Sequence, residues 1–153
     1  MIALRLVRGV TGHFVGRWPE WILSAILFSL GCKLLGSGDT FASGSGFNVM
    51  AKVATEEHWG IFLCSVSGAR LVALVINGTF APFARLSPIV RSALGAMSGF
   101  AWFAIALGIY LANPEGWGYL TYSGLLVADM INAMLAGGDA GASERRFRHG
   151  RNG

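Results

Sequence analysis

The sequence predicts an all-α, polytopic membrane protein, with four transmembrane helices in an antiparallel bundle. Three observations carry this. First, 54% of the 153 residues are hydrophobic and 13% are charged, against about 25% charged in a typical soluble domain. Second, the apolar residues gather in four runs, each long enough to cross a hydrocarbon core of about 30 Å. Third, Arg5, Arg8, Arg17, Arg85, Arg91, Arg145, Arg146, Arg148 and Arg151 all fall on one face of a four-span arrangement, with Lys33 and Lys52 on the other. That skew follows the positive-inside rule. It places both chain ends in the cytoplasm and the protein in a bacterial inner membrane.

Residues 1–17 put Ile2, Leu6, Val10 and Phe14 near one helical face, with arginines elsewhere. This suits an amphipathic segment lying on the inner surface of the membrane. A signal peptide is the alternative, but no A-x-A site follows, so the segment is expected to be retained. The first span covers residues 18–36, with Trp18 and Trp21 at the interface and Lys33 close enough to the outer end to snorkel. Residues 37–46 are rich in Gly and Ser and predict a flexible loop. Phe47, Met50 and Val53 then share one face of a short outer helix. The second span covers residues 59–77, the third 89–112 after Pro88, and the fourth 117–136 after the breakers in NPEGWG. Residues 137–153 read as a flexible, basic cytoplasmic tail. Short connections make neighbouring spans antiparallel.

Arg70 and Asp129 are the sharpest chemical feature, since each interrupts an apolar run at a cost of about 2.5–3.5 kcal/mol on insertion scales. Both host spans run in the same direction. Arg70 lies eleven residues past Trp59 and Asp129 twelve past Trp117, which is about 16 and 18 Å of helix. The two residues reach one depth, and an intramembrane ion pair follows. It either fixes helix register or lines a path for ions, protons or a small solute. Asn132, one turn beyond Asp129, and Asn77 at the end of the second span extend the polar network or join helices.

Small residues recur at close-packing intervals: Gly60, Cys64 and Gly68 in the second span, Gly95 and Gly99 in the third, Gly124 and Ala128 in the fourth. They admit tight helix contact, within one chain or between copies. Cys32 and Cys64 lie in the outer halves of adjacent spans, so a disulfide is geometrically open and two buried thiols are the simpler expectation. Glu56, Glu57 and His58 cluster at the mouth of the second span, but three histidines without HxxxH or HxxE spacing do not make a metal site. No metal or cofactor is expected.

Arg145, Arg146, Arg148 and Arg151 form a basic patch whose simplest partner is anionic lipid. Nucleic acid is disfavoured, because no fold surrounds the patch to read a groove. Nucleophile elbows, Walker loops, CxxC pairs and dinucleotide fingerprints are absent, and no enzyme is expected. Short length, several spans and a basic tail together resemble the small multi-span membrane proteins of bacteriophages, including holin-like proteins. The resemblance implies oligomerisation in the inner membrane. A structural or accessory subunit of a larger membrane complex, and a small carrier or channel built on Arg70 and Asp129, are the competing expectations.

Overall fold

The computed structural model describes the backbone of residues 2–79 and 86–151, and the side chains of residues 16–36, 38–76 and 86–141. Its long helices are α1 (Ile2–Ser37), α4 (Glu56–Thr79), α5 (Ser87–Ala112) and α6 (Gly118–Arg151). Between α1 and α4 come α2 (Thr40–Ser43), a 3-10 turn (Ser45–Phe47) and α3 (Asn48–Val53). No strand occurs among the described residues. Each long helix contains a stretch long and apolar enough to cross a membrane: Gly16–Gly36, Glu56–Ile76, Ser87–Ala112 and Gly118–Gly141. The protein is a multi-pass membrane protein in which the four stretches pack together.

α1 is two helices joined at Arg17, whose backbone leaves helical geometry at φ −134° and ψ 16°. Pro19 then sits in the first turn of the membrane helix, where a missing N–H costs little. The expected boundary after residue 17 is therefore a real joint. Gly38, at φ +59°, follows the end of α1 in the left-handed region that glycine adopts most readily.

The expected Gly/Ser loop is structured. Glu56 reaches from the start of α4 and accepts from the amides of Thr40 (3.0 Å) and Phe41 (3.2 Å). Trp59 donates its indole N–H to the Met50 carbonyl at 2.9 Å, tying α3 to α4. Met50 is fully buried, whereas Val53 is 66% exposed, so the expected shared face of Phe47, Met50 and Val53 breaks at its last member. Gly46 belongs to a packed contact, since a side chain on Gly108 would collide with the Gly46 carbonyl. α6 also departs from expectation. Its helix continues beyond residue 136 to Arg151, although Gly137, Gly138, Gly141 and Gly150 are poor helix formers.

The helices associate as two tight pairs, α1 with α4 and α5 with α6, joined mainly where α4 meets α5. Each pair closes on small residues. A Cβ on Gly31 would lie 2.8 Å from the Cys64 backbone nitrogen, and one on Gly60 2.8 Å from Leu35. A Cβ on Gly95 would lie 2.9 Å from the Ala133 Cβ, and one on Gly99 would overlap the Met130 methyl. Between the pairs, Leu27, Leu34, Met50, Trp59, Leu63, Trp102 and Ile105 form a continuous apolar core. It lies toward the end of the bundle that carries residues 38–55, here the loop end. The other end, where α1 begins and α6 leaves the bundle, is the basic end; there Arg17 meets Asp139 at 3.5 Å.

Candidate functional site: a polar axis through half the bundle

Arg70 and Asp129 meet as the sequence predicts. Arg70 is 1% exposed and Asp129 fully buried, and the Arg70 Nη1 donates to Asp129 Oδ1. The same Nη1 donates to the Ser98 hydroxyl at 3.0 Å. Ser98 lies within hydrogen-bonding reach of Asp129 Oδ2, which also accepts from the Trp102 indole N–H at 3.2 Å. The Asp129 carboxylate thus gathers donors from α4 and α5 while sitting on α6. Charge-assisted bonds of this kind are about twice as strong as neutral ones. A carboxylate with its lone pairs satisfied is the form a low-dielectric interior tolerates best.

A second buried pair lies nearer the basic end. Arg91 on α5 donates through Nε to Glu20 Oε2 at 2.9 Å and through Nη2 to Oε1. This two-pronged geometry matches the planar guanidinium to the carboxylate. The residues are 2% and 6% exposed. The sequence places Arg91 among the loop arginines of the cytoplasmic face; it is instead a core residue neutralised by Glu20. The signal was available. Glu20 begins one span and Arg91 begins another running the same way, so equal depth could have paired them, as it paired Arg70 with Asp129. Ser98 and Trp102 were also missed, because an uncharged polar group inside an apolar run leaves no trace in hydropathy.

Asn132 is buried one turn from Asp129, but its side-chain Nδ2 has no partner among the described residues. No hydrogen bond from this nitrogen reaches the Arg70 pair or another helix among the described residues. Asn77 lies outside the residues whose side chains are described, as do Arg145, Arg146, Arg148 and Arg151. The glycines divide. Gly60, Gly95 and Gly99 are contact points within one chain, whereas a Cβ added at Gly68 would meet only Phe28, at 3.8 Å, and one at Gly124 would enter open space. Cys32 and Cys64 are free thiols with sulfurs 3.8 Å apart. Glu56 is engaged by α2 rather than by a neighbouring acid, and His58 Nδ1 pairs with the Thr55 hydroxyl at 2.6 Å. No group of metal-ligating residues occurs among the described residues.

The buried polar side chains within the four long helices occupy one half of the bundle. Glu20, Ser24, Ser67, Arg70, Ser87, Arg91, Ser98, Asp129 and Asn132 all lie from the level of Asp129 toward the basic end. The loop half holds the apolar core. Comparison with known proteins gives no matching family model, no matching curated protein and no matching solved structure.

Proposed function

We propose that the chain is a structural or accessory subunit of a larger assembly, held in a bacterial cytoplasmic membrane with both termini in the cytoplasm. One observation carries this reading: the groups that could have served assembly or transport are used within a single chain. The Gly95/Gly99 face packs against α6. The two intramembrane arginines are each matched by a carboxylate. What remains for a partner is the helical extension of α6, with Arg145, Arg146, Arg148 and Arg151 beyond the bundle, and the compact cap of residues 38–55. The arginine-rich extension also suits anionic lipid at the inner leaflet.

A holin-like, self-associating protein is the second reading, and a different observation favours it. An apolar groove of about 690 Å³ runs along the lipid-facing side of α5 and α6, between Phe103, Val127 and Met134. A neighbouring copy could seat a helix there.

Expression beside a cytoplasmic muralytic enzyme separates the two. The accessory reading expects continued growth, with crosslinks from the α6 extension captured on another protein. Abrupt lysis with dye entry would replace it with the holin-like reading. Reporter fusions after residue 153 and near Ser43 test the orientation, with a cytoplasmic reporter active only at the former.

A further inference from the structure

Cys32 of α1 and Cys64 of α4 face each other in the loop half of the bundle, where the proposed function makes no use of them. Their sulfurs are 3.8 Å apart. The Cys64 thiol donates to the Phe28 carbonyl at 3.8 Å, which leaves its sulfur to accept from the Cys32 thiol. Close backbone packing holds the pair together. A Cβ on Gly31 would lie 2.7 Å from the Cys64 sulfur and 2.8 Å from the Cys64 nitrogen, so glycine is what admits this approach. Cys32 is exposed and Cys64 half-buried, so the pair is not sealed inside the bundle. Cys32 lies five residues before the end of α1, or about 8 Å of helix.

Distance separates the chemistries open to two thiols. A disulfide needs its sulfurs at about 2.05 Å, roughly 1.8 Å closer than these stand. Metal–thiolate bonds of about 2.3 Å put two sulfurs about 3.8 Å apart at an angle near ~110°, and about 4.6 Å apart in a straight line. The pair therefore already has the spacing of a bent S–metal–S unit and is about 0.8 Å short of a straight one. Ligand number then selects the metal. Structural zinc is four-coordinate, and no third metal-ligating side chain joins the pair among the described residues. Soft thiolates select Cu(I), a d10 cation that two sulfurs can complete. Two thiolates around it leave one net negative charge. Lys33, next to Cys32 on the exposed side of α1, brings a positive charge to the same turn.

We propose that Cys32 and Cys64 form a two-sulfur site for a soft monovalent metal cation of the Cu(I) class, bridging α1 to α4. On binding, each thiol gives its proton to the buffer and each sulfur gives a lone pair to the metal. No electron is transferred, because the cation arrives as Cu(I). The bound cation clamps α1 to α4 beneath the cap of residues 38–55. The site stands independently of the accessory-subunit reading.

The test uses the full chain, reduced, in lipid nanodiscs under argon. Cu(I) is supplied as its coloured bicinchoninate complex, and uptake is read as loss of colour. The wild type should take one cation per chain and release two protons. Cys32→Ser and Cys64→Ser nearly keep the size of the side chain, and each should weaken uptake by at least roughly a hundredfold, beyond the loss from an outer-shell change. A second measurement needs no variant. X-ray absorption of the loaded wild type should show sulfur alone around copper, with no nitrogen or oxygen neighbour. Bound cation should also raise the unfolding temperature, since it binds the folded state. Uptake that survives either substitution, nitrogen or oxygen in the copper shell, or one cation shared by two chains would overturn the site. So would a wild type whose two thiols react with a thiol reagent yet take up no copper.

Discussion

Arg70 of α4 and Asp129 of α6 form a buried ion pair across a seam where their own helices scarcely touch. α4 packs on α1 and α5, and α6 packs chiefly on α5. Ser98 of α5 stands between them and bonds to both charges. The same seam is crossed by Glu20 of α1 with Arg91 of α5, and by Arg17 of α1 with Asp139 of α6. These three salt bridges all join the α1/α4 pair to the α5/α6 pair. Within each pair, contact rests on glycine and other small residues. The division has a physical basis. Lipid gives helices little hydrophobic drive to associate, so close backbone approach or polar attraction must supply it. This fold uses the first within pairs and, between them, adds the second to the apolar core.

Removing one partner of the central pair strands the other in a dry interior. Arg70→Ala and Asp129→Ala are each expected to destabilise by about 3–5 kcal/mol. The double variant should cost less than the sum by about 1–3 kcal/mol, since the second change removes an already stranded charge. Replacing both by apolar residues, Arg70→Met with Asp129→Leu, should recover much of the loss. Denaturation in mixed micelles measures all four proteins, and strict additivity would show that the charges do not act on each other.

The Glu20–Arg91 pair gives a parallel expectation with a different control. Glu20→Gln keeps the shape and removes the charge, leaving the Arg91 guanidinium buried and uncompensated. A loss of about 3–5 kcal/mol is expected, as for other broken buried pairs. Crossing Glu20→Gln with Asp129→Ala should show coupling below about 0.5 kcal/mol, because the two pairs are separated by two turns of α5. Larger coupling would mean that the seam opens as one unit.

The contrast between the two pairs shows what a sequence reveals in a membrane helix. Arg70 and Asp129 stand out because each breaks a long apolar run, and depth counting alone then brings them together. Glu20 and Arg91 sit at the ends of their runs, where charge is ordinary, so the positive-inside pattern absorbed Arg91 and nothing drew the eye to Glu20. The number and order of the spans were legible for the same reason: hydropathy reports the solvent, and lipid is a stringent one. The cap was not legible, because α2 and the 3-10 turn owe their order to distant partners. Glu56 holds two amides of α2, and the Gly46 carbonyl packs against Gly108. Composition describes a segment by itself, and this segment is fixed by its neighbours.

The glycines of α5 should respond unequally to one methyl group. At Gly95 the new Cβ would meet Ala133 at 2.9 Å from its Cβ and 3.3 Å from its Cα, on a helix that cannot move locally. At Gly99 it would meet the end of the Met130 side chain, which can swing away. Gly95→Ala is therefore expected to destabilise by about 1–3 kcal/mol through overpacking. Gly99→Ala should be close to neutral, since the gain in helix propensity, up to about 1 kcal/mol, offsets a flexible adjustment. Val127→Trp adds bulk on the lipid-facing groove and should leave monomer stability unchanged. If it instead alters the oligomeric state in nanodiscs, self-association uses that groove.

Cys32 and Cys64 give the most direct check on how α1 and α4 are packed. Their sulfurs are 3.8 Å apart, against about 2.05 Å in a disulfide. The gap is small enough for side-chain rotation and a slight helix shift to close. Gly31, next to Cys32, brings the α1 backbone against Cys64, so the two helices already pack tightly there. Oxidation with copper phenanthroline in nanodiscs should remove both free thiols and form one bond within the chain, with loss of two electrons to the oxidant. The product should migrate as a monomer that runs faster than its reduced form. Cys32→Ser and Cys64→Ser should each abolish the shift. Oxidised dimers from the wild type would instead place the two sulfurs on facing chains, and the α1/α4 pair described above would have to be redrawn.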